Sequence, residues 1–152
     1  MNNTNINTCI IKTKIGNFLI EVKNNNLTKL LPTNLHPKES NLYIFRFVKK
    51  EINCFLKKKI NRFTFTCKLE GTSFQKKVWN QVKKIKYGKT LSYMDIAKKI
   101  NSSPRAVGNA CSKNKCLLII PCHRVICYNG NIGGYVMGSK IKSDLLKLEK
   151  NE

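Results

Sequence analysis

At Glu70-Gly71 the chain changes its periodicity, and that switch constrains the fold more than any other feature. Upstream, short runs with alternating apolar residues point to strands at Thr8–Thr13, Phe18–Val22 and Leu27–Leu31. Turns at Gly16-Asn17 and Asn24-Asn25-Asn26 separate them. Beyond a loop from Pro32 to Pro37, Leu42, Phe45, Val48, Ile52 and Phe55 recur at helical spacing. Phe63, Phe65, Cys67 and Leu69 then alternate like a half-buried strand. Downstream, short capped helices take over. Thr72-Ser73-Phe74-Gln75 reads as a capping box opening a helix that buries Phe74, Val78, Val82 and Ile85 and ends near Tyr87-Gly88. Ser92 with Asp95 opens a second helix, and Ser103-Pro104 a third, with proline at the first helical position where its missing N–H costs nothing. The expectation is an α+β protein of two domains, residues 1–69 and 70–152.

Of the 152 residues, 41% are hydrophobic, enough for a packed core and too many for wholesale disorder. The first ten residues lack the charged and apolar segments of a secretory signal. No apolar run approaches the ~20 residues that span a bilayer. These features predict a cytoplasmic protein with no membrane partner. The seven cysteines are odd in number and irregularly spaced, which favours reduced thiols over a disulfide framework. With no C-x-x-C pair and only two histidines, no metal site is expected; His36 reads as a solvated loop residue.

The net charge of +21 invites a polyanionic partner. Yet Lys, Asn and Ile, whose codons are AT-rich, supply 25, 19 and 16 residues, so part of the charge is compositional drift. It is also spread evenly: residues 1–69 carry 13 basic and 3 acidic side chains, residues 70–152 carry 16 and 5.

The two short helices joined by the Asn101-Ser102 turn make a helix-turn-helix candidate. In the second of them, Ala106, Gly108 and Ala110 leave a flat surface, suited either to close helix packing or to approach of a nucleic-acid backbone. The interior glycine alone costs about 1 kcal/mol against alanine. The most informative stretch is Leu117–Ile126, where an apolar run leads into Pro121-Cys122-His123-Arg124. A cysteine whose proton an imidazole can take, directly or through water, is a nucleophile. A helix starting after Pro121 would favour the thiolate further; the alternative is an inert buried thiol. Asn129–Tyr135 is a glycine-rich loop, able to approach a flat ligand or simply to turn. A last helix, about Ser139 to Lys150, turns Ile141, Leu145 and Leu148 inward and sets Glu149 at the edge of the buried face, where it could orient His123.

From Gly71 to Glu149 the sequence resembles the methylated-DNA–protein-cysteine methyltransferases. The resemblance rests on Gly71–Trp79, Tyr87-Gly88, Ser92-Tyr93, Arg105–Gly108, Asn114, Ile120–Val125, Gly134-Tyr135 and Leu145–Glu149 in one order. It implies a ribonuclease-H-like first domain and a mostly helical second domain with a winged helix-turn-helix. It implies DNA repair by direct reversal: a single-turnover transfer of an alkyl group from O6 of guanine, and from O4 of thymine, to Cys122. His123 would take the thiol proton through a water, held by Glu149. Tyr93 would hydrogen-bond the base and help protonate the departing guanine, and Asn114 would brace the backbone beneath the cysteine. Arg105 would enter the stack as the nucleotide flips, with Ala106, Gly108 and Ala110 along the minor groove and Lys113 and Lys115 on phosphates. Val125, Tyr135 and Val136 would line the base pocket, partly through backbone groups. The implied partner is double-stranded DNA bearing alkylated guanine, bound by a monomer that needs no cofactor. The Tyr93–Arg105 segment is about two residues shorter than the family's usual length. Val136 and Met137 stand where smaller residues are common, so bulky adducts are in question.

Two other functions fit the same residues. One is a non-catalytic alkylated-DNA-binding protein, for which the acceptor cysteine would be superfluous. The other is a cysteine hydrolase built on Cys122, His123 and Glu149, which would need oxyanion donors.

Overall fold

Three antiparallel strands, β1 (Ile6–Thr13), β2 (Gly16–Lys23) and β3 (Asn26–Thr33), open the computed structural model, which describes residues 4–150. Asn24 and Asn25 turn the second hairpin with φ of 49° and 62°, the pair of positive angles that fits a two-residue loop to twisted strands. The first hairpin turns at Lys14-Ile15, not at Gly16-Asn17 as expected. Thr13 pairs with Gly16, and the Thr13 hydroxyl donates to the Gly16 carbonyl at 2.7 Å. All three strands run longer than their apolar cores suggested, because polar ends still complete the ladder.

α1 (Tyr43–Leu56) packs on β1 through a buried stripe of Phe45, Val48, Ile52 and Phe55. Leu42, counted in that stripe from the sequence, is instead the exposed residue preceding the helix. Nor do Phe63–Leu69 form a strand. Only Cys67 bridges Leu27, while the Phe63 ring packs on Phe55 at 5.0 Å and Phe65 on Phe63 at 5.3 Å. Tilted packing of these aromatic rings takes the place of a ladder.

The chain divides into two compact units at the Leu69-Glu70 junction. In the second, α2 (Ser73–Lys83) begins with the capping box of Thr72 and Gln75. It buries Val78, Trp79 and Val82, whereas Phe74 is 37% exposed, contrary to expectation. The Trp79 indole donates to the Ala110 carbonyl at 2.9 Å. A Cβ on Gly71 would lie 2.6 Å from the Trp79 ring, so only glycine fits there. β4 (Leu91–Ser92) leads into α3 (Tyr93–Lys99), capped by Ser92 and Asp95, and then α4 (Pro104–Ser112), capped by Ser103. A single 3-10 turn, Cys122–Arg124, runs into β5 (Val125–Ile126), which pairs parallel with β4. α5 (Ser139–Glu149) closes the unit. Its buried stripe is Lys142, Leu145 and Glu149; Ile141 and Leu148, expected inside with Leu145, are half-buried.

Cys9, Cys54, Cys111, Cys122 and Cys127 are free thiols. No helix among the described residues is long and apolar enough to cross a membrane.

Candidate active site

Cys122 starts the 3-10 turn and is 5% exposed. Asn114, buried just beyond α4, holds both the turn and the sulfur. Its amide nitrogen donates to the Ile120 carbonyl at 2.8 Å and to Cys122 Sγ at 3.1 Å, and its oxygen accepts from the Cys116 N–H at 2.8 Å. Every group of this buried amide is used, which fixes Asn114 against rotation.

Behind the cysteine lies a buried ion cluster. His123 Nε2 meets Glu149 Oε1 at 2.6 Å. Arg124 clamps the same carboxylate with Nε at 2.8 Å and Nη2 at 3.0 Å, and donates from Nη1 to the Ile85 carbonyl at 2.7 Å. The Gly88 N–H adds a fourth donor, to Glu149 Oε2, at 3.1 Å. This accounts for Tyr87-Gly88 among the matched segments: Gly88 has φ of +73°, and a Cβ there would lie 3.0 Å from the Glu149 carbonyl. Burial alone would raise the Glu149 pKa, but the hydrogen bonds from His123 and Arg124 outweigh it and hold the group at about 2. Burial depresses His123 below its ordinary value despite the carboxylate beside it, so the imidazole is poised neutral. Its Nδ1 is buried with no hydrogen-bond partner. Glu149, placed at the edge of the buried face from sequence, is 2% exposed.

In front of the cysteine opens a cavity of about 430 Å³ bordered by Tyr93, Gly108, Cys111, Tyr135 and Val136. Tyr93 begins α3, and its phenol accepts from Lys142 Nζ at 3.5 Å. Burial, reinforced by the neighbouring thiols, pushes this phenol up to about 12, so it stays protonated at neutral pH and can donate. Tyr135 is raised too, chiefly by burial, and its hydroxyl lacks a partner. The loop before it lies tight on the cavity: Gly133 has φ of +72°, and a Cβ there would press Cys127 Sγ at 3.2 Å.

Val125, expected with Tyr135 and Val136 at the pocket partly through backbone groups, has its side chain buried in β5, and its carbonyl accepts from Lys142 Nζ at 2.6 Å. One sequence assignment needs correction. Ala110, expected on one flat surface with Ala106 and Gly108, is 3% exposed and packs beneath α4. Residues two apart on a helix point in nearly opposite directions, so no such surface exists. Gly108 faces the Tyr93 ring instead. Arg105 and Lys113 are exposed, and Ala106 and Lys115 half-buried.

Two residues, and the role of a third, escaped the sequence reading. Arg124 is the clamp on Glu149. Lys142 is fully buried, its ammonium spent on the Val125 and Gly134 carbonyls and the Tyr93 phenol. The clue lay in the spacing, since 142, 145 and 149 share one helical stripe with the acid. Cys111, in the last turn of α4, lies beside Cys122, whose Sγ donates to the Cys111 carbonyl at 3.8 Å. The neighbouring Cys111 thiol and burial push the Cys122 thiol above its ordinary range, opposed by Asn114 and Lys142. That thiol and burial both act against the thiolate preference expected of Cys122 from its place after Pro121.

Residues 73–151 match the family model described as the DNA-binding domain of 6-O-methylguanine DNA methyltransferase. A methylated-DNA–protein-cysteine methyltransferase of Methanocaldococcus vulcanius is 54% identical over 92 residues, covering 60% of this chain and 56% of that protein. The same-named protein of Metallosphaera sedula is 43% identical over 111 residues, 73% of this chain and 70% of its own. The crystal structure of Mycobacterium tuberculosis O6-methylguanine methyltransferase superposes with a TM-score of 0.85 at 31% identity, covering 96% of this chain and 93% of that one. A structure of the M. tuberculosis protein in complex with DNA gives 0.82 at 33% identity, with coverage of 93% and 91%.

Proposed function

The chain belongs to the methylated-DNA–protein-cysteine methyltransferase family, and we propose from that premise that it repairs DNA by moving an alkyl group from guanine O6 to Cys122. The observation that carries this reading is the stacking of three features on one sulfur. Cys122 faces a cavity large enough to take a base, is held by Asn114, and adjoins a His123–Glu149–Arg124 cluster.

The resting thiol is protonated, so reaction starts with proton removal. His123 is neutral, and its unpartnered Nδ1 is the site free to receive the proton through one water. Glu149 stabilises the imidazolium that results, while Arg124 and Gly88 keep the carboxylate ionised and aimed. The Cys122 thiolate then attacks the alkyl carbon in line with the carbon–oxygen bond; a carbon–sulfur bond forms as that bond breaks. Asn114 and Lys142 offset the sulfur's negative charge before attack. Tyr93, its acceptor side engaged by Lys142, is left to donate its hydrogen to the departing base. A thioether has no leaving group that water could displace at neutral pH, so each molecule reacts once.

For duplex DNA, the reading assigns α3 and α4 as a helix-turn-helix, with exposed Arg105 at the start of α4 filling the gap left by the flipped base. Ala106 lies along the minor groove, and Lys113 and Lys115 meet phosphates. Of a wing, the described residues offer the two-residue β4–β5 ladder. The β1–β2–β3–α1 order supports a ribonuclease-H-like reading of the first unit. Val136, 47% exposed at the cavity mouth, restricts the larger adducts. The protein would act as a cytoplasmic monomer.

Incubation with excess duplex carrying O6-methylguanine tests the reaction. Alkyl transfer predicts one methyl group lost from DNA per protein and then arrest. Continued turnover would indicate hydrolysis, and binding without loss of the methyl group a damage-recognition protein.

A further inference from the structure

The cavity holds a second thiol that alkyl transfer does not use. Cys111 lies in the last turn of α4, and it and Cys122 border the same solvent-accessible cavity. The Cys122 sulfur lies 3.8 Å from the Cys111 carbonyl, so the two residues adjoin. Neither is locked in another covalent bond, as both are free thiols. Cys127, the third thiol at the cavity, lies against Gly133.

We propose that Cys111 and Cys122 form an oxidation site, in which a peroxide joins the two sulfurs in a reversible disulfide that masks the alkyl acceptor. The masking rests on Cys122 being the acceptor; the disulfide itself does not. A redox-sensitive cysteine reacts with peroxide as thiolate and is protected when a second thiol stands ready to resolve it. Here Cys122 is the attacking sulfur once its proton has left for solvent, and Cys111 stands at the same cavity to resolve it. Cys122 sulfur attacks one peroxide oxygen, the oxygen–oxygen bond breaks, and hydroxide leaves, giving Cys122 sulfenic acid. Cys111 sulfur then attacks Cys122 sulfur; the sulfur–oxygen bond breaks, and the second hydroxide departs with the Cys111 proton as water. The first hydroxide takes a proton from solvent. In sum two thiols lose two electrons and one peroxide becomes two waters. A thiol reductant reverses the product by exchange, whereas the sulfinic acid formed by further oxidation of a lone Cys122 would be permanent. In a protein whose acceptor is consumed by its own reaction, that difference preserves unspent molecules.

The test treats the full-length protein with hydrogen peroxide at low molar excess, in the absence of DNA, and maps the cysteines by fragmentation mass spectrometry. The expected product has lost two hydrogens and links the 106–113 peptide through Cys111 to Cys122. Methyl transfer measured afterwards should be lost, and recover with a dithiol reductant. A Cys111→Ser variant, scored against its own untreated activity, should be inactivated by peroxide without recovery, with Cys122 found as sulfinic acid. Cys122 linked to Cys127, or oxidised while Cys111 stays a free thiol, would overturn the proposal. So would equal recovery in Cys111→Ser. Should that variant fail to fold, the wild-type linkage map still decides. If the linkage forms yet untreated protein transfers no methyl group, the fault lies in the assigned function and not in the oxidation site.

Discussion

Glu149 has four donors around it, from His123, Arg124 and the Gly88 backbone, and its removal would leave Arg124 buried without a countercharge. Breaking a buried pair from one side costs about 3–5 kcal/mol. Glu149→Ala should therefore lower unfolding free energy by about that amount in urea titrations, and abolish methyl transfer even in the folded fraction. The same cluster sets a pH dependence. His123 is depressed below 6.5 when folded, so below that pH the unfolded chain takes up a proton that the native site refuses. Glu149, at about 2 against 4.5 unfolded, acts in the same direction between those values. Both contributions are present at neutral pH and are lost on acidification, the histidine's first. Urea midpoints from pH 7 to pH 5 should fall, and His123→Gln should flatten that decline; an unchanged slope would show that His123 is not held neutral. Cys122, His123, Asn114 and Glu149 were legible in the sequence because a motif names them together. The role of Arg124, and Lys142 and Cys111 altogether, were not, because their partners are backbone carbonyls and side chains far away in the chain. Without those partners, a lysine or arginine reads as solvated.

Capped elements were read well, since a cap is a local chemical statement: Thr72 with Gln75, Ser92 with Asp95, and Ser103 before Pro104 all mark helix starts. Elements defined by tertiary contact were not. Phe63–Leu69 alternates like a strand, yet the rings prefer one another to a ladder, and the Ala106–Gly108–Ala110 surface applied a strand's spacing to a helix. Among the exposed residues of α4 is Arg105, whose proposed work is to replace a flipped base in the stack. Extrusion costs a few kcal/mol only where there is a stack to disrupt. Arg105→Ala should thus slow repair of duplex DNA at least tenfold while leaving reaction with free O6-methylguanine base within about twofold. Equal losses on both substrates would mean that Arg105 supports the fold or the cavity.

Across the whole molecule, 29 basic residues against 8 acidic ones promise affinity for DNA without saying where it binds. The even division of charge between the two halves argues that most of it is compositional. Neutralising Lys113 and Lys115 should reduce the salt slope of duplex binding by up to about one unit for each phosphate left without its lysine. Neutralising Lys57, Lys58 and Lys59, in the unit that contributes no residue to the cavity, should leave the slope nearly unchanged. An equal reduction from that run, in salt titrations of both variants, would show that the first unit also tracks the backbone.

Three thiols border one cavity, and only one of them is proposed to accept the alkyl group. Digestion of the protein after reaction with duplex O6-methylguanine, followed by fragmentation mass spectrometry, reads the acceptor directly. The expected result is a single added methyl on Cys122, with Cys111 and Cys127 unmodified. A methyl group on either of those two, or none on protein that has stripped the DNA, would contradict the assignment of Cys122.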